Sequence, residues 1–154
     1  KIISLRISKT VNKLKLFRVR KNTLIMCCAG ILTSLFFYPY PLLKPPIDLG
    51  DVWVASIEDI SAMKLVAIAQ RGTKRDFIDV YYLIKKFGLE TILKLSGQKY
   101  KEFNPYLALQ ALIYFEDADK EKLSLRKIQI KEQLNREEVK EHIIAEVKLV
   151  RKKL

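Results

Sequence analysis

Histidine and cysteine are nearly missing from this sequence. His142 is the one imidazole, and the two thiols, Cys27 and Cys28, are adjacent, so there is no CxxC spacing for a zinc site. The same scarcity argues against a Cys-His or Ser-His nucleophile pair. Neighbours on a strand point to opposite faces, which makes a bond between these two sulfurs geometrically poor. Reduced thiols and a cytoplasmic setting are the expectation. Acidic residues are absent from positions 1 to 21, where eight residues are basic. No repeat and no low-complexity tract appears. The first residue is Lys1 with no signal peptide ahead of the basic run, so the chain is expected to be a piece of something longer.

What is present suits one folded domain of 154 residues, 49% of them hydrophobic, with a mean hydropathy near zero. The formal net charge of +12 is concentrated at the ends, because residues 120 to 154 hold eleven basic and six acidic side chains. Such a field favours a polyanion, nucleic acid above all, or an anionic membrane surface.

Residues 22 to 43, NTLIMCCAGILTSLFFYPYPLL, carry no charge. The length fits a membrane span. Gly30 in the middle, Pro39 and Pro41 at the end, and the β-branched and aromatic residues from 31 to 40 fit two strands better. The expectation is a buried hairpin, with strands near 23 to 29 and 31 to 38 turning at Ala29 and Gly30. VWVA at 52 to 55 reads as a further short strand.

Helices should follow. Ser56 with Asp59, and Thr73 with Asp76, are capping-box patterns that open helices from Ile57 to Gln70 and onward to Phe87, with Gly72 and Gly88 as stops. A short helix is expected over Leu89 to Leu95, ahead of Ser96 and Gly97. Asn104 and Pro105 cap one that runs through Phe115. From Asn135, Val139, Ile143, Val147, Val150 and Leu154 recur at three- and four-residue steps, the pattern of an amphipathic terminal helix. The fold class is therefore α+β, with a β-rich part over 1 to 55 and a helical part of the same domain over 56 to 154.

The helix from 57 to 70 is apolar or small almost all round, yet Lys64 and Arg71 project within about 20° of each other on one line. The turn at Gly72 then brings Asp76 and Asp79 close. Each charge has an ordinary explanation as a cap, a dipole partner or a surface pair, Asp79 with Arg71 or Arg75 among them. Together, two cations and two carboxylates converging on an apolar wall suit a triphosphate, where positioning and charge neutralisation do most of the chemistry.

The run from Val54 to Leu83, VASIEDISAMKLVAIAQRGTKRDFIDVYYL, resembles the AbiEii/AbiGii family of nucleotidyltransferase toxins, whose members carry D-x-x-A-M-K-x-x-A and then R-x-x-x-[KR]-D-F-x-D. FFYPYPLL at 36 to 43 and ALIYFEDAD at 111 to 119 are similar to further family segments, so the resemblance covers roughly residues 20 to 150. It implies a fold like DNA polymerase β and transfer of a nucleoside monophosphate from an NTP, with Mg²⁺, to a nucleic-acid acceptor such as tRNA. It also implies a toxin-antitoxin or abortive-infection setting and a cognate antitoxin. Carried onto this sequence, Lys64 and Arg71 are nucleotide-binding and Asp76 and Asp79 catalytic, with Lys64 on phosphate. The family's Gly-Gly or Gly-Ser turn and D-x-D strand, which hold the metals, have no counterpart here. Asp48 and Asp51 are the acids upstream of residue 56, and the D-A-D at 117 to 119 reads as a solvated helix end. An incomplete chain, inactive alone, is the expectation; a non-catalytic nucleic-acid or protein binding module and a small membrane-anchored protein are the alternatives.

Overall fold

A computed structural model of the chain describes residues 14–121 and 134–153. The described residues fall into two compact units, one ending at Pro39 and the other beginning at Tyr40.

The first unit is an antiparallel sheet of β1 (Leu14–Arg20), β2 (Thr23–Cys28) and β3 (Ile31–Phe36), in that order. The hairpin expected from the uncharged run is there as β2 and β3. Ala29 and Gly30 both have positive φ, 49° and 87°, the paired left-handed conformation whose twist matches the flanking strands. The hairpin is less buried than expected, since Leu24 and Met26 are covered while Ile31, Leu35 and Phe36 are exposed. β1 was not anticipated, because the basic run hides its alternation. That alternation is broken by a bulge between Leu16 and Arg18, so that Phe17 has no partner opposite it. No helix among the described residues is long and apolar enough to cross a membrane.

The second unit begins with a small antiparallel pair, β4 (Ile47–Asp48) and β5 (Trp53–Val54), shorter than the four-residue strand expected at 52 to 55. Six helices follow among the described residues: α1 (Ile57–Gln70), α2 (Lys74–Phe87), α3 (Leu89–Lys99), α4 (Pro105–Leu112), α5 (Glu116–Lys120) and α6 (Arg136–Arg151). Helix α1 lies against α2, α3 and α4 with Ala62 and Leu65 fully covered, and α6 packs its Val139, Ile143, Val147 and Val150 stripe over α2, α3 and α4. Leu154, the last position of that expected stripe, lies outside the described residues. An α+β class describes the chain.

The caps carry much of this. Ser56 Oγ accepts from the Asp59 amide and Thr73 Oγ1 from that of Asp76, while Asn104 and Asn135 cap α4 and α6. Two ends differ from expectation. Helix α3 continues through Ser96 and Gly97 to Lys99, because the Ser96 hydroxyl bonds back to the Ile92 carbonyl and its polar demand is met inside the helix. Helix α4 stops at Leu112 instead of Phe115. The Ile113 and Tyr114 amides tighten onto the carbonyls three residues back, and the Phe115 ring turns in against Phe77 at 4.8 Å.

Candidate functional site

Apolar packing on three sides holds α1 in place, and Lys64 leaves it from mid-helix. Arg71 caps its end. Gly72, at φ 50°, turns the chain, and a Cβ there would sit 3.4 Å from the Ile68 carbonyl oxygen in a backbone conformation that L residues rarely adopt. That turn sets the first two turns of α2 beside the last two of α1. The four residues singled out in the sequence meet there.

Asp76 is the hub. Its carboxylate, 1% exposed, accepts from Arg71 Nε at 2.9 Å, Arg71 Nη2 at 3.0 Å, Thr73 Oγ1 at 2.6 Å and Lys64 Nζ at 3.4 Å. Lys64 Nζ also reaches Asp79 at 2.5 Å, so Asp79 pairs with Lys64, not with Arg71 or Arg75. Burial pushes the Asp76 carboxyl up, but the Arg71 and Thr73 hydrogen bonds, with Lys64 nearby, hold it below the ordinary carboxylate value. The hydrogen bonds that Arg71 donates to Asp76 in turn raise Arg71. The group is self-neutral and graded in exposure, from a covered Asp76 to Asp79 at 43% and Arg71 at 62%.

Such an arrangement can fix two cations in direction while leaving them reachable by an anion. It does not suit Mg²⁺, because the Asp76 oxygens face N–H and O–H donors and Asp79 faces an ammonium, whereas Mg²⁺ asks for near-octahedral oxygens. No group of three or more His, Cys, Asp or Glu able to hold a metal occurs among the described residues.

A second ion cluster went unseen in the sequence. Asp59 and Lys99 are both fully buried and pair at 2.5 Å. Asp59 also accepts from the Leu43 and Lys44 amides and from Ser56 Oγ, while Lys99 donates to the Pro41 carbonyl at 2.7 Å. The pair thus clamps the Pro41–Lys44 strap to α1 and α3. Asp59 opens the D-x-x-A-M-K run quoted above, and an acid fixed at that place was the available signal. Of the D-A-D segment, Asp117 and Asp119 are exposed as expected, but Ala118 is buried in the core, and Asp119 is more than a solvated end: it bridges α5 to α6 through Arg136 and Lys140. A cavity of about 150 Å³ between α2, α5 and α6 is lined by Phe77, Phe115 and Val139, with Lys74 and Lys140 at its rim, and includes none of the four clustered residues.

Compared with known protein families, residues 37–148 match the model described as "Nucleotidyl transferase AbiEii toxin, Type IV TA system". The chain belongs to the AbiEii nucleotidyl transferase toxin family. The match takes in the strap, both ion clusters and most of α6, and leaves β1 to β3 outside. Among curated proteins, the AbiEii-family chain is similar to "Uncharacterized protein aq_aa25" of Aquifex aeolicus (strain VF5), 44% identical over 128 residues, which are 77% of this chain and 61% of that protein. It therefore spans less than two thirds of that relative's length. No solved structure matches it significantly.

The clamp gives this AbiEii-family chain an acid limit. Burial raises the Asp59 carboxyl, but Lys99, the Leu43 and Lys44 amides and Ser56 outweigh it and bring it from 3.8 to about 2. A depressed carboxylate contributes stability that is fully present above its unfolded value and is lost as pH falls through its folded one. Urea unfolding at pH 6 and at pH 2 is expected to differ by up to about 2 kcal/mol through Asp59. The Asp59→Asn variant should lack that share of the acid sensitivity.

Proposed function

We propose that Lys64, Arg71, Asp76 and Asp79 form the nucleotide-binding part of a nucleotidyltransferase that moves a nucleoside monophosphate from an NTP to a nucleic-acid acceptor such as tRNA. The observation that carries this reading is the fixing of two reachable cations, Lys64 and Arg71, on one buried carboxylate. Asp76 orients both. Lys64 exchanges Asp79 for a phosphate oxygen, Arg71 takes a second through the N–H groups that face outward, and Asp79, once released, assists the nucleotide or the acceptor. Charge-assisted hydrogen bonds of this kind are the strong ones, and phosphoryl and nucleotidyl transfer rest on positioning and charge neutralisation. Mg²⁺ belongs to this reading only for the complete enzyme, because the carboxylates here do not suit it. A cognate antitoxin and a cytoplasmic setting complete the proposal, on the strength of the family.

Calorimetric titration with each of the four NTPs tests it. The 154 residues are expected to bind an NTP weakly without transferring it, and Lys64→Ala to abolish binding while thermal unfolding stays within about 1 kcal/mol of the parent. Equal binding by parent and Lys64→Ala would remove the site from this cluster. Robust transfer by these residues alone would place the metal carboxylates inside this chain, against the reading given.

A further inference from the structure

The sheet of β1 to β3 lies outside the family match, and its register sorts its side chains with an outcome that composition does not show. Residues directly opposite in an antiparallel pair share a face. Three rows then form on one face: Lys15 with Cys27 and Leu32, Arg18 with Ile25 and Ser34, and Arg20 with Thr23 and Phe36. The opposite face holds Leu16, Val19, Leu24, Met26 and Leu35. The bulge produces this sorting. Uninterrupted alternation would put Arg18 and Arg20 on the face opposite Lys15, whereas the extra residue, Phe17, shifts the phase and brings all three cations together on β1.

We propose that this face is a binding platform for single-stranded nucleic acid. Lys15, Arg18 and Arg20, all exposed, form a basic edge with no acidic residue anywhere from position 1 to 47 to neutralise it. Across two interstrand spacings, about 10 Å away, the Phe36 ring is 56% exposed and braced edge-on by Tyr38. A backbone tracking the basic edge places its bases over β2 and β3, and Phe36 supplies the stacking surface. Base stacking on an aromatic and phosphate contacts by Lys and Arg are the two terms that hold single strands without sequence preference. Thr23, between Arg20 and Phe36, and Ser34, at the β3 end of the Arg18 row, add polar groups to the face. That composition favours a nucleic acid over a bilayer, which would meet the aliphatic face instead. The platform stands whether or not the Lys64 cluster takes a nucleotide.

Fluorescence anisotropy with a labelled mixed-sequence oligoribonucleotide, single-stranded and as its duplex, tests this without any NTP present. The single strand is expected to bind more tightly than the duplex. Phe36→Ala lowers single-strand affinity roughly fivefold or more and leaves the salt slope unchanged. Arg18→Glu with Arg20→Glu reduces that slope by about 1.4 or more. All three positions are exposed, and far-UV circular dichroism checks that each variant keeps its sheet. Lys148→Glu on α6 with Lys152→Glu just past its end is expected to leave affinity nearly unaltered. The proposal is overturned by duplex binding as tight as single-strand binding, by a silent Phe36→Ala, or by loss that follows the α6 variant. Adsorption to phosphatidylserine vesicles without single-strand binding would overturn it in favour of a membrane surface.

Discussion

Lys99→Met lowers the unfolding free energy of the helical unit by about 3 to 5 kcal/mol in urea titrations at pH 7. Nothing on the surface announces this, because Lys99 is fully buried and its ammonium is shared between the Asp59 carboxylate at 2.5 Å and the Pro41 carbonyl at 2.7 Å. Taking the ammonium away leaves a carboxylate that was stripped of water on folding and keeps only neutral donors, the Leu43 and Lys44 amides and Ser56. Those donors place the loss toward the lower end of the range. The intact pair is a different quantity. Its Coulomb attraction is offset by the dehydration of both ions, so its net contribution is small and the damage comes from breaking it on one side. Asp59→Asn combined with Lys99→Met should therefore recover part of the loss, and the four unfolding free energies of that cycle check it. Additive losses would mean that the two residues do not act as a pair.

Asp76→Asn is expected to cost about 2 to 3 kcal/mol, whereas Asp79→Asn changes stability by less than about 1 kcal/mol. The two carboxylates share Lys64 and lie one helical turn apart, yet their surroundings are opposite. Asp76 is covered and receives donors on both oxygens: Arg71 and Lys64 on one, Arg71 and Thr73 on the other. An asparagine must turn an NH2 group toward one of those donor sets. Hydrogen bonds to charged groups are the costly ones to lose, and here one oxygen's worth of them goes at once. Asp79 is half-exposed, with Lys64 as its ion-pair partner, and water replaces that partner readily. Chemical denaturation of both variants separates the cases. Equal losses would show that the cluster is held together as one unit instead of being organised around Asp76.

Much of the helical unit was legible because its signals are local. Ser56 to Asp59 and Thr73 to Asp76 are side chains that satisfy amides three residues on, so the starts of α1 and α2 are set within one turn, and the glycine stops at 72 and 88 are equally short-ranged. The meeting of Lys64, Arg71, Asp76 and Asp79 was legible for the same reason, since one tight turn joins the two helices. Lys99 was not. Its partners lie 40 and 58 positions away, and in sequence it stands four residues past the expected end of its helix at Leu95, with no local signal of burial. The bulge in β1 was hidden differently. Leu14-Lys15-Leu16 before Phe17 and Arg18-Val19-Arg20 after it each alternate but in opposite phase, so the run does not read as one strand, and the pairing to β2 shows that a bulge joins the two.

The clamp of the Pro41–Lys44 strap also has a consequence for how the chain is made. Synthesis delivers Pro41, Leu43 and Asp59 long before Lys99, and the ion that completes the clamp sits at the far end of α3. Until that residue has left the ribosome, Asp59 stays hydrated and the strap has only the weaker hold of its own amides on a solvated carboxylate. The strap and α1 therefore wait for α3, however early their own residues appear. Domains tend to fold as units as the chain emerges, and in this unit the segment made first is not fixed before α3 is made.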